Sequence, residues 1–171
     1  MLEKQVTEIY QTLQKLIGFH RQLREAVQAE RAALVSADIP AIQEAVSLKQ
    51  GLIEEIRRAE AQRVKATSEL ASLWRKDSSE LTLPKLIIIV QGKDLKFAEQ
   101  LRSSLNAITV LINHITEQNE SNRALVERSL EHVHEMKKNV LGESVPKSTT
   151  YTQQGQRSSG MQGARILSKE A

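Results

Sequence analysis

From Leu2 onward, apolar side chains return at alternating steps of four and three. The series is Leu2, Val6, Ile9, Leu13, Leu16, Leu23, Val27 and Leu34, with His20 and Glu30 as its two polar members. Steps averaging 3.5 residues hold one narrow stripe against a partner helix, so the spacing predicts a single helix over residues 2 to 35, roughly 50 Å long. Ser36-Ala37-Asp38-Ile39-Pro40 then ends the pattern. Asp38 can accept hydrogen bonds from the first amides of a following helix, and Pro40 fits a first turn, where an amide has no intrahelical acceptor. The same step resumes through Ile39, Ile42, Val46, Lys49, Ile53, Ile56, Glu60, Arg63, Thr67, Leu70 and Trp74, widened by Leu52, Ala59, Val64 and Leu73. This predicts a second helix to about residue 76, turned antiparallel to the first by the short connection.

Residues 75 to 83 are polar and end at Thr82-Leu83-Pro84, a turn followed by a new start. Leu86-Ile87-Ile88-Ile89-Val90 comes next. Its β-branched content suits a strand, but no other segment offers a strand to pair with it, so a short buried helix is the preferred reading and the strand stays open. After Gln91-Gly92-Lys93-Asp94 the longest series begins: Ala98, Leu101, Leu105, Ile108, Ile112, Ile115, Asn119, Asn122, Val126, Ser129, Val133, Met136 and Val140. It predicts a third long helix over 94 to 141, roughly 70 Å long, whose last turns extend past its partners or bend. Apolar surface on those turns lacks a cover from within the chain. From Gly142 the pattern collapses into Ser, Thr, Gln and Gly, with Pro146 and few apolar residues before Met161, Ile166 and Leu167. The fold class is therefore all-α: an elongated antiparallel bundle of three long helices with a short connecting helix, residues 1 to 141, and a disordered, flexible C-terminal tail, residues 142 to 171.

Composition supports this reading. Aromatic residues make up 3% of the 171, with seven glycines and three prolines, too few for a fold built on strands and turns. The pI near 9.2 suggests a nucleic-acid partner, yet the formal charge is only +3, from 24 basic and 21 acidic side chains. The tail holds Lys147, Arg157, Arg165 and Lys169 against Glu143 and Glu170, leaving the body near neutrality. No strongly cationic face emerges, and nucleic-acid binding is not expected. Cysteine is absent, which removes disulfides and thiol chemistry. Met1-Leu2-Glu3-Lys4 lacks the apolar stretch of a signal peptide, and Leu86 to Val90 falls far short of the roughly 20 residues that span a bilayer. A cytoplasmic protein without stable membrane insertion is the default.

Candidate chemistry is sparse. Glu131-His132-Val133-His134 contains a Glu-x-x-His spacing, which supplies two metal ligands in di-iron bundles, but a second pair and two further glutamates at matching positions are missing. His132 and His134 point about 200° apart on a helix and cannot chelate together. No Gly-rich phosphate loop, nucleophile elbow or paired-carboxylate pattern occurs. Neither a catalytic residue nor a metal or cofactor is expected, and the chain does not read as an enzyme. Asn119 and Asn122 sit at successive seam positions, and two readings compete there. The plain one is register specification inside the bundle; the functional one is a polar step on a surface left open for a partner's backbone.

Three pieces of the chain together resemble the FlgN family of flagellar export chaperones. The first is the turn Ala33-Leu34-Val35-Ser36-Ala37-Asp38-Ile39 with Lys49 following. The second is Asn119-Glu120-Ser121-Asn122, then Leu125 and Ser129-Leu130, similar to an Asn-x-x-Asn, Leu, Ser-Leu signature. The third is the tail, Thr150-Tyr151 with Gly155, then Gly163-Ala164-Arg165-Ile166-Leu167-Ser168-Lys169. It departs from the family pattern at Gln154 and at Ser168-Lys169. The resemblance implies a chaperone that binds the C-terminal helical region of the hook-filament junction proteins FlgK and FlgL, prevents premature assembly and delivers them to the cytoplasmic domain of the export gate FlhA. The client surface is expected on Asn119, Asn122, Val126, Leu130, Val133, Met136 and Val140, and Tyr151 matches the tail tyrosine linked to gate docking. A structural or self-associating coiled-coil module without client delivery is the alternative. The sequence leaves open whether the free chain forms a weak homodimer.

Overall fold

The computed structural model describes residues 4–142, and every regular element in that span is an α-helix. α1 runs Lys4–Ser36, α2 Ile39–Leu73, α3 Leu83–Gln91 and α4 Leu95–Leu141. The three long helices lie within a few residues of the spans that the spacing predicts, and Leu86 to Val90 is helical rather than extended. The tail reading falls on residues that lie outside the described ones, apart from Gly142.

Local chemistry fixes the α1–α2 turn. α1 ends because Ala37 adopts φ +55°, which lets the Asp38 amide donate back to Ala33 O at 3.0 Å and the Ala37 amide to Leu34 O at 3.3 Å. This left-handed closure satisfies carbonyls the helix would otherwise leave unpaired, although an alanine Cβ is strained there and glycine is the usual choice. Asp38 then starts α2: its carboxylate accepts from the Ala41 amide at 3.1 Å, and Pro40 sits in the first turn. α2 ends by the same device. Arg75 has φ +52° and the Lys76 amide donates to Ala71 O at 2.9 Å, which stops the helix three residues short of the sequence expectation.

Contacts divide the chain into two units, residues 1–128 and 129–171, the second described only over 129–142. In the first unit α2 lies antiparallel to α1, and α4 runs parallel to α1. Gln14 Nε2 donates to Ser104 Oγ at 2.8 Å, and 17 residues further along each helix Arg31 Nη1 donates to Ser121 O at 3.1 Å. The main core gathers Val6, Ile9, Leu13 and Leu16 of α1, Ala66 and Leu70 of α2, Leu86, Ile87 and Val90 of α3, and Ala98 and Leu101 of α4. α3 thus closes one end of the bundle, where four helices share one apolar interior. Tyr10 and Phe97 pack beside it with ring centroids 5.2 Å apart. A second, smaller cluster joins Leu23, Ala26, Val27, Leu52 and Ile115. Thr12 and Thr67, buried among these side chains, donate to the carbonyls of Glu8 and Arg63 one turn back, so neither hydroxyl is left without a partner.

The buried stripe of α2 matches the expected one at Leu52, Ala59, Thr67 and Leu70 and departs from it at Ala45 and Ala66, which are buried, and at Val46, Ile53, Val64 and Leu73, which are exposed. The true seam shares Lys49, Ile56, Arg63 and Leu70 with the expected series but takes the alanines on its other edge. Small side chains let neighbouring helices approach closely, and the larger β-branched residues are displaced to the flank. Arg63 keeps a seam position because Glu60 holds its guanidinium, at 2.9 and 2.7 Å, while its methylene stem covers apolar surface. That hydrogen-bonded carboxylate also raises the already high pKa of Arg63.

Candidate functional site

Glu30 of α1, Lys49 of α2, and Asn119 and Asn122 of α4 meet in one polar layer. Lys49 Nζ lies 2.7 Å from Glu30 Oε2 and donates to Asn119 Oδ1 at 3.1 Å. Asn122 Nδ2 donates to the same Glu30 oxygen at 3.0 Å and to Val27 O at 3.1 Å, and its Oδ1 accepts from Gln118 Nε2 at 3.2 Å. Side-chain exposure is 19% for Lys49 and 13% for Glu30, and Asn122 is only 4% exposed. The arrangement is explained by desolvation: a charge withdrawn from water needs an opposite charge and further hydrogen bonds, and here Glu30 and Lys49 supply the charges while Asn119 and Asn122 supply the hydrogen bonds. Asn122 is therefore interior, with both ends of its amide engaged within the first unit, and it presents no open polar step. Asn119 is half-buried and engaged with Lys49.

Asn122 is the last buried residue of α4; every described residue from Val126 onward is exposed. Val126 and Leu130 continue the helix's heptad face, followed by Val133 at 58%, Met136 at 53% and Val140 at 78% exposure. Steps of four, three, three and four place these five on one side of the helix. Leu141, also exposed, lies next to that row and was not singled out in the sequence, where the series stops at Val140. Apolar side chains repeating over four turns on the solvent side of a helix form an amphipathic face of the kind that takes up another helix. Tyr151 lies outside the described residues.

The sequence pattern marked Asn119 and Asn122 but missed that Glu30 and Lys49 complete the same layer. The signal was present: both charges stand at seam positions, with opposite sign, on the two arms of one helical hairpin. At the layer's edge, a shallow cleft between α1 and α4 is lined by Arg24, Gln28, His114, Glu117, Gln118 and Ser121. His132 and His134 are exposed. Among the described residues no group of three or more His, Asp or Glu side chains is placed to hold a metal ion, and no helix is long and apolar enough to cross a membrane.

No curated protein and no solved structure matches the chain. The family model described as FlgN protein does match it, over residues 1–159, which takes in the hairpin turn, the polar layer, the exposed face of α4 and the tyrosine-bearing part of the tail. With that span covered, the chain belongs to the FlgN family, a family of flagellar export chaperones.

Proposed function

We propose that this chain binds the C-terminal helical region of the hook-filament junction proteins FlgK and FlgL, keeps them from assembling early and hands them to the cytoplasmic domain of the export gate FlhA. The observation that carries the reading is the apolar row Val126, Leu130, Val133, Met136 and Val140, exposed on a helix whose preceding turns bury the same face. A client helix laid along that row removes apolar area from water on both partners, at roughly 25 cal/mol per Å². Ordering a segment that is unstructured before assembly offsets part of this gain, which keeps the complex releasable. Asn122 is left out of the client surface because its amide is engaged with Val27 and Glu30, and Asn119 contributes only through the Lys49 contact that orients it. By family resemblance, Tyr151 serves docking at the gate. The chaperone needs no bond-breaking chemistry for this role, only reversible burial.

The test is a binding titration of FlgK and FlgL C-terminal segments against the full chain and a Val133→Asp/Met136→Asp variant. A charge in the middle of a buried row removes a hot spot, so affinity should fall by at least about 30-fold, with the thermal midpoint unchanged because both positions are exposed. Equal affinity in the two proteins rejects the row as the client site.

A further inference from the structure

We infer that the layer Glu30–Lys49–Asn119–Asn122 is a register lock, which confines the long apolar face of α4 to one alignment on the α1–α2 hairpin and so keeps the row from Val126 onward available. The inference deepens the proposed function and, for the last clause, rests on it. The argument begins with the repetition of α4. Ile112, Asn119, Val126, Val133 and Val140 follow one another at seven-residue intervals, and so do Ile108, Ile115, Asn122, Ser129 and Met136. Apolar contacts have no direction, so a face this repetitive packs almost as well when shifted by one heptad.

The polar layer breaks that degeneracy. Moved by seven residues in one direction, α4 would set Val126 and Ser129 against Glu30 and Lys49; moved in the other, it would set Ile112 and Ile115 there. Only the observed alignment brings two amides to the ion pair, one accepting from Lys49 Nζ at 3.1 Å and one donating to Glu30 Oε2 at 3.0 Å. The Asn122 contact to Val27 O at 3.1 Å ties the same alignment to the α1 backbone. In any other register the pair keeps only its mutual contact while its other lone pairs and protons are desolvated, so the alternatives are penalised and the native alignment is selected.

The experiment exploits the absence of cysteine. Arg31→Cys/Ser121→Cys reports the native alignment, since these two side chains already touch, with Arg31 Nη1 at 3.2 Å from Ser121 Oγ. Arg31→Cys/Arg128→Cys, one heptad on, reports the shifted one. Each pair is placed in the native background and in a layer made apolar by Glu30→Leu, Lys49→Met, Asn119→Leu and Asn122→Leu. A short bifunctional thiol reagent is then applied, and products are separated into within-chain and between-chain links. In the native background the 31–121 link should dominate. In the apolar layer the thermal midpoint should rise, the 31–121 link should lose at least half its yield, and the 31–128 link should appear. The pair Asn119→Leu/Asn122→Leu, which leaves the ion pair in place but removes both amides, should lose the 31–121 yield in the same way, and it serves should the fourfold variant not fold. Unchanged 31–121 yield with no 31–128 link in the apolar layer overturns the lock, as does an Asn119→Leu/Asn122→Leu variant that keeps the native yield. Cross-linking involves no client, so it stands apart from the client titration: a native chain that fails to bind FlgK or FlgL segments defeats the proposed function and leaves the lock to be judged on its own links.

Discussion

The two stretches of α4 on either side of Asn122 share one pattern and differ in burial. Before it, Ala98, Leu101, Ser104, Leu111 and Ile115 are buried; after it, Val126, Leu130, Val133, Met136 and Val140 are exposed. Both stretches carry apolar residues at heptad spacing on the same face of the helix. The difference teaches that periodicity records the presence of a partner helix without saying whose helix it is. In the first stretch the partners are α1, α2 and α3 of the same chain. In the second no described side chain buries the face, and the family role supplies a reason for leaving it exposed.

That comparison can be broken most directly by truncating one side chain in each stretch. Leu101→Ala deletes a fully buried side chain at the four-helix end, where relaxation is restricted, and should cost about 2–5 kcal/mol of unfolding free energy. Val133→Ala, on the exposed stretch, should stay within about 0.5 kcal/mol. Urea titrations of both variants measure the contrast; equal losses would mean that the second stretch is packed in solution. Asn122→Ala probes the boundary and should cost about 1–3 kcal/mol, because Glu30 and the Val27 carbonyl each lose a donor in a desolvated place. A loss below the error of the titration would mean that water already reaches the layer. The smallest effect concerns the hairpin turn. Ala37→Gly relieves a left-handed alanine and should stabilise the chain by up to about 1 kcal/mol, read as a modest rise in thermal midpoint. A fall would show that Ala37 is not left-handed in solution.

Much of the architecture was legible in the sequence because its helices are long and their caps conventional. Asp38 and Pro40 announced the start of α2, and the alternating steps located α1 and α4 within a few residues. The face of α2 was less legible. Hydropathy favours Val46 and Ile53 over Ala45 and Ala66, but close packing favours the small residue, and a hydropathy pattern does not weigh volume. The strand alternative for Leu86 to Val90 shows the same limit, since β-branched residues such as Ile87 and Val90 are tolerated in a helix once they are buried, here with Leu86, against a core. In the exposed row, Val126, Val133, Met136 and Val140 follow from the spacing, while Leu130 does not, because the series runs through Ser129. The fate of Asn122 was not legible either, because whether an amide is buried depends on Glu30, 92 residues away in sequence, and no local pattern carries that distance.

The alanine edge of α2 has a practical consequence for anyone who wishes to watch this chain at work. Fluorophores or spin labels attached at Ala59 or Ala66 would wedge neighbouring helices apart and report on damage. The displaced neighbours Ile53 and Val64 are exposed on the same helix, and a label placed there leaves the interior intact.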